Sequence, residues 1–271
     1  MPTALRRDKY RTVDRVLPAV RPNAGITAAY QRCLDKLLQE MRDSVTYWLH
    51  AAYKANEPHI AQDELPAAAL RDAIRKLARR WQRRWADAAP QLADYFAKSM
   101  QERSDAALRS ILKKAGISVE FRLTPATQDI LRATISENVN LIKSIPQEYF
   151  TDIEGAVMRS VQVGRDLGSL AKELEEHYGV TKRRAALIAR DQNNKCTAAI
   201  DRSRKIELEL YDNIWLHSHA GKTPRPTHVA MDGKHFDIRK GMWDSAVGKY
   251  VWPGTEVGSR CLSKAVVKGF T

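Results

Sequence analysis

The sequence predicts an α+β protein: a predominantly α-helical, multi-helix N-terminal region followed by a small α+β C-terminal domain with short antiparallel strands. Three observations predict it. Apolar residues recur at i, i+3 and i+4 through most of the first 205 positions, the spacing of a buried helix face. That periodicity stops near residue 208, where Gly, Pro, Trp and His become dense. Short alternating runs bounded by turn residues then take over. The expected organisation is a basic helical region at 1–118, a helical region at 119–208 and the small α+β domain at 209–271.

The first helix is expected over Ile26–Tyr53, after the breaker cluster Pro22-Asn23-Ala24-Gly25, with Tyr30, Cys33, Leu34, Leu37, Leu38, Met41, Val45, Trp48, Leu49 and Tyr53 in its apolar pattern. Glu57-Pro58 interrupts it, and Pro66 opens the next helix at its first turn, where a missing N–H costs nothing. Pro90 is expected to break that helix, with another over Gln91–Lys114 capped by Gly116. Thr124-Pro125 reads as a cap-then-proline start for a helix that Pro146 closes. A shorter helix is expected over Ser169–Tyr178, closed by Gly179, and the next opens at Thr181 and runs to about Leu208. The link at Gly179-Val180-Thr181, followed by the basic start of Lys182–Arg190, has the layout of a DNA-reading helix-turn-helix and equally of a plain helical hairpin. Strands are expected at Tyr211–Leu216, Lys234–Ile238 and Cys261–Val267, with an Asp232-Gly233 turn favouring a hairpin between the first two. No repeat of fixed period is present.

Charge narrows the partner class. The chain carries 45 Lys+Arg against 32 Asp+Glu, a formal net charge of +13, which favours a polyanion. The excess sits early: residues 1–114 hold 22 basic and 13 acidic side chains, residues 206–271 only 9 and 7. The densest stretch is Leu70–Trp85, where Leu70, Ile74, Leu77, Trp81 and Trp85 form one apolar stripe. Arg71, Arg75, Lys76, Arg79, Arg80, Arg83 and Arg84 cover the rest of that helix. These seven are the solvated face of a core helix, a DNA-binding surface for backbone phosphates, or both, since the two readings are compatible.

Several classes are excluded. No run approaches about 18 consecutive apolar residues, so no membrane span is expected. The opening stretch has scattered charges and no apolar core of roughly 7–15 residues, so no secretory signal is expected. Cys33, Cys196 and Cys261 are odd in number and far apart, which argues against a disulfide framework and for a reducing cytoplasm. Cys33 and Cys196 fall on helical apolar faces and read as small core residues. There is no Gly-rich phosphate loop, no GxSxG and no CxxC.

The C-terminal motifs carry a resemblance. Trp215, Arg225-Pro226-Thr227-His228, Met231-Asp232-Gly233-Lys234 and Phe236 are followed by Pro253-Gly254-Thr255-Glu256-Val257 and then Arg260-Cys261. Together they resemble the signature of the phage Mu F-like head-morphogenesis proteins, also described as phage minor head proteins. The likeness is clear over about residues 205–271, while 120–205 is similar in style only. The family usually has Asn-Cys-Arg-Cys where this chain has Gly258-Ser259-Arg260-Cys261, so a disulfide or two-cysteine metal site there would lack one partner. The resemblance implies a non-enzymatic, structural virion component inside the head, found in the host cytoplasm during assembly. It implies a role in capsid assembly near the portal, in one or several copies. The implied partners are portal and/or capsid proteins and packaged double-stranded DNA, contacted non-specifically, with no membrane and no cofactor. The sequence ends ten residues after Cys261, so the C-terminal toxin domains of some relatives are not expected.

The motif residues also have a physical reading. Prolines on both sides hold Arg225 in an extended pose. It can clamp a carboxylate, Asp232 or Glu256, or bind an external phosphate. The internal clamp is favoured because a small α+β unit profits from polar cross-links. His228, Asp232, Gly233, Pro253, Gly254, Glu256, Arg260 and Cys261 complete a structural network, with Gly233 supplying a positive φ and Pro253-Gly254 a tight turn. The competing class is a metal-assisted hydrolase or nuclease. His217, His219, His228, His235 and Cys261 offer zinc ligands, His217 and His219 on one strand face, and His219, His228 and Asp232 form a nuclease set. Against zinc, their spacings fit no paired zinc motif.

Overall fold

A computed structural model of the chain describes residues 14–55, 66–162, 167–219 and 223–269. The opening stretch and the expected Glu57-Pro58 break lie outside the described residues. The α+β class holds. A two-residue strand, β1 (Arg15–Val16), precedes four long helices: α1 (Ala24–Ala55), α2 (Pro66–Lys114), α3 (Pro125–Gln162) and α4 (Leu167–Glu207). Then come β2 (Asp212–Leu216), the short α5 (Pro226–Met231), β3 (His235–Asp237), β4 (Met242–Asp244), β5 (Lys249–Val251) and β6 (Leu262–Val267).

The helix starts follow side-chain chemistry. The Ile26 N–H donates to Asn23 Oδ1 at 3.1 Å, and the Thr127 N–H donates to Thr124 Oγ1 at 3.3 Å ahead of Pro125. Gly116, at φ 84°, ends α2, and the Ile117 N–H returns to the Leu112 carbonyl at 2.9 Å.

Three expected breaks do not occur. α2 runs through Pro90, α3 through Pro146 and α4 through Gly179. A proline inside a helix costs about 3 kcal/mol and a glycine about 1 kcal/mol, which packing of a long apolar stripe outweighs. Around Pro90 the buried positions Trp81, Trp85, Ala89 and Ala93 stay in helical phase, and Pro90 itself is exposed. Through Gly179 the buried positions Leu170, Leu174, Thr181, Ala185 and Ile188 do the same. The helix-turn-helix reading is therefore corrected to one uninterrupted helix. Cys33 is also corrected: it is exposed, whereas Cys196 is buried.

The described residues fall into two compact units interleaved along the sequence. One is drawn from Ala28–Tyr95 and Ile135–Ala189, and its described residues are all helical. Its buried side chains include Tyr30, Leu34, Leu38, Trp81, Trp85, Ile142, Ile145 and Tyr149. Tyr30 donates to Asn138 Oδ1 at 3.1 Å, which satisfies a buried hydroxyl.

The other unit is drawn from Met1–Thr27, Phe96–Thr134 and Arg190–Thr271. Its sheet is antiparallel with order β1-β6-β2-β3, and β4 and β5 form a separate two-stranded ribbon. The register sets Trp215 opposite Ser263 and Ile214 opposite His235. One apolar cluster gathers Leu17, Leu108, Leu112, Leu210 and Ala265. A second, around Trp215, gathers Met231, Phe236, Ile238, Val251 and Cys261. The β2–β3 link is not a tight hairpin, because α5 is folded into it ahead of the Asp232-Gly233 turn.

Candidate functional site

Of the motif residues, Trp215, His228, Met231, Phe236 and Cys261 meet in and beside one apolar cluster. Pro226 starts α5 after the extended Arg225, and the helix turns His228 inward to 2% exposure. His228 Nδ1 lies 3.6 Å from Cys261 Sγ, and its Nε2 lies 3.3 Å from Asp244 Oδ2. Its ring meets Trp215 edge-on at 5.2 Å. Asp244 ends β4 and accepts the Ala246 N–H at 3.0 Å. Sequence reasoning missed Asp244; its only signal is an acid followed by small residues and Gly248, a turn pattern.

Arg225 does not clamp a carboxylate. Its guanidinium donates to the Val257 carbonyl at 2.8 Å. Asp232 is occupied elsewhere, accepting the His217 N–H at 2.8 Å and facing His219 Nε2 at 3.1 Å, and Glu256 pairs with Lys249 at 3.0 Å. The expected clamp fails because both carboxylates have nearer partners, so the arginine ties two loops through a backbone oxygen. Gly233 has φ 74°, and its N–H donates to the Trp215 carbonyl at 2.9 Å. Gly254, after Pro253, has φ 81°, and a Cβ there would stand 3.0 Å from Ala198 Cβ and 3.1 Å from the Cys261 carbonyl. Ser259 is buried, and its carbonyl accepts from the Asn194 side chain at 3.0 Å. Arg260 is half-buried.

The histidines do not share one site. His217 and His219 lie beyond the end of β2 rather than on a strand face, and His219 takes φ 50°. His235 pairs with Asp212 on the surface at 2.9 Å, while His228 faces Asp244 and Cys261 in the interior. In the nuclease set, Asp232 meets His219 and not His228. Among the described residues, no group of three or more His, Cys, Asp or Glu side chains is placed to hold a metal ion.

Cys261, His228 and Asp244 stand in the order thiol, imidazole, carboxylate, but the chemistry is quiet. Burial pushes the Cys261 thiol up, against the Ser259 hydroxyl, so the sulfur stays protonated. All three side chains are at most 2% exposed, so none is presented to solvent. Burial, helped by the Arg225 charge, holds His228 below its ordinary value, with Asp244 acting the other way. Such a histidine contributes stability that is complete above its unfolded value of about 6.5 and is lost as pH falls below it, because the unfolded chain takes the proton first. Denaturant unfolding is therefore expected to show stability falling from pH 7 to 5, by at most about 1.4 kcal/mol per pH unit for this group. His228→Gln should flatten that dependence; an unchanged slope would contradict the assignment.

The basic row lies in the helical unit. All seven of Arg71, Arg75, Lys76, Arg79, Arg80, Arg83 and Arg84 are exposed, while Leu70, Ile74, Leu77, Trp81 and Trp85 are buried behind them. The ends of the row are tied down. Arg71 reaches Glu154 of α3 at 3.5 Å, and Arg84 pairs with Glu40 of α1 while lying over the Trp81 ring at 4.8 Å. Among the described residues no acidic side chain pairs with Arg75, Lys76, Arg79, Arg80 or Arg83.

Residues 151–263 match the family described as Phage Mu protein F like protein. The likeness is to this stretch alone, the Mu F-like segment. It begins within α3, takes in all of α4 and ends in β6, so it holds every motif residue from Arg225 to Cys261. It also reaches upstream of the part legible from motifs, into α4, whose C-terminal part bonds the sheet-bearing unit through Asn194 to the Ser259 carbonyl and through Lys205 to Ser263. A protein of Haemophilus influenzae (strain ATCC 51907 / DSM 11121 / KW20 / Rd), named only as an uncharacterized protein, is 28% identical over 182 residues. That alignment covers 66% of this chain and 39% of the relative, so the chain spans well under half of the relative's length. No solved structure matches. Among the described residues, no helix is long and apolar enough to cross a membrane.

Proposed function

We propose that the chain is a structural, non-enzymatic component of a phage head, acting in capsid assembly near the portal and touching packaged DNA without reading its sequence. The observation that carries this reading is the match of residues 151–263 to the Phage Mu protein F like family. The interior of the Mu F-like segment agrees with a structural role, since the Cys261–His228–Asp244 array is buried. The DNA contact is supported by the row of exposed cations on α2, five of which lack acidic partners among the described residues. Phosphate contacts of that kind position a protein without specifying bases. The partners are the portal and/or capsid proteins and double-stranded DNA, and the place of action is the virion head. The test is to tag the chain in its own phage, purify particles by density and cross-link them. The protein should sediment with heads and cross-link to the portal or the shell. Its absence from heads and assembly intermediates alike would overturn the proposal.

A further inference from the structure

An open groove of about 340 Å³ lies within the helical unit, between α2 and α3. It is lined by Arg79, Gln82, Arg83 and Ala86 on one wall and by Lys143 and Gln147 on the other. The helix period makes the walls: 79, 82, 83 and 86 share one face of α2, and 143 and 147 are one turn apart on α3. The chemistry is one-sided, with three cations, two amides and no acid among the lining residues. The acids on the neighbouring turns of α3 are already used. Glu148 pairs with Arg184 at 2.7 Å, and Glu154 with Arg71 at 3.5 Å. Among the described residues, Arg79, Arg83 and Lys143 have no ion-pair partner of their own.

Three unneutralised cations facing one another across an open channel repel unless an anion sits between them. Two primary amides beside them add neutral N–H donors suited to phosphate oxygens. The open form suits a polymer laid along the channel better than an enclosed small molecule. We propose that this groove seats the phosphodiester backbone of duplex DNA. Arg79 and Arg83 grip phosphate oxygens from α2, Lys143 closes on them from α3, and Gln82 and Gln147 complete the hydrogen bonding. The inference rests on the reading of the basic row as a DNA contact and narrows it. It recruits Lys143 and Gln147, which no charge count of α2 would find. It also leaves Lys76, Arg80 and Arg84, on the adjoining face of α2, as a solvated surface.

The test titrates the full chain with a short fluorescent duplex of arbitrary sequence over a salt series. Losing one phosphate contact flattens the log–log slope by about 0.9, which at about 0.1 M salt is roughly an eight-fold loss of affinity. Lys143→Gln should show that loss, Lys143→Arg should restore binding, and Arg80→Gln, an equal change of charge on the adjoining face, should stay within about two-fold. Thermal melts of each variant confirm that it is folded. If the wild type binds and Lys143→Gln binds equally well, or if Arg80→Gln loses as much, the groove is overturned and the broader cationic face survives. If Lys143→Arg fails like Lys143→Gln, the effect is one of packing and the groove is likewise overturned. A wild type that ignores DNA at low salt but binds poly-glutamate overturns the DNA reading itself, and the basic row then faces an acidic protein surface.

Discussion

Arg204→Ala is expected to destabilise the sheet-bearing unit by about 3–5 kcal/mol, the cost of leaving a buried charge without its partner. Arg204 is 1% exposed within α4. Its Nε and one Nη donate to the two oxygens of Asp105 on α2, both at 2.8 Å, a bidentate fork that lysine cannot reproduce. The remaining Nη donates to Glu207 at 2.8 Å and to the Arg122 carbonyl at 2.9 Å, and the guanidinium lies 4.9 Å from the centre of the Phe121 ring. Four of its five N–H donors are filled, and Asp105 is itself 4% exposed, so alanine strands a carboxylate in the interior. Denaturant unfolding should therefore rank wild type above Arg204→Lys, and Arg204→Lys above Arg204→Ala. The double variant Arg204→Met/Asp105→Leu should recover most of the loss, because replacing both ions by apolar groups removes the stranded charge. Equal stability of the single alanine variant and the double variant would sink this account.

The same network shows what the sequence could and could not reveal. Helix existence was legible because burial repeats every three to four residues over long distances, as at Tyr30, Leu34, Leu38, Met41 and Val45. The breaks at Pro90, Pro146 and Gly179 were misread because local propensity says nothing of the stripe continuing on the far side. The strands around Trp215 and Leu262 were legible from alternation, whereas β1, β4 and β5, two or three residues each, are too short to show a period. Motif residues could be named but not paired. Arg225 was expected to reach a carboxylate, yet Asp232 is held by His217 and His219 and Glu256 by Lys249. The buried ions were invisible for a related reason. Asp105 and Arg204 are 99 positions apart, and Lys205, which reaches Asp201 at 2.6 Å and Ser263 at 2.8 Å, reads in sequence as one more exposed cation near a helix end.

Replacing Arg75, Arg79 and Arg83 together by Gln is expected to cost duplex DNA binding about 500-fold at about 0.1 M salt, while the protein stays folded. The magnitude follows from counterion release: each contact contributes about −0.9 to the slope of log affinity against log salt, so three contacts remove about 2.7. With Arg75, one turn before Arg79 on the same face of α2, meeting the next phosphate beyond the groove and Lys143 as a fourth contact, the wild type should then show a slope near −3.6, indifferent to base sequence. The fold should survive because these three side chains are exposed and unpaired, while Ile74, Leu77, Trp81 and Trp85, which anchor α2, are untouched. Glutamine also keeps nearly the helix propensity of arginine. Charge alone does not settle the comparison, since a net +13 protein binds any polyanion weakly. The control is therefore Lys76→Gln/Arg80→Gln/Arg84→Gln, which removes the same three charges from the adjoining face, where Arg84 is already paired with Glu40. A control that flattens the slope as much as the first triple would show that the row acts only as a diffuse field. A steep slope lost in the first triple and kept in the control places the phosphate on the side of α2 that faces α3.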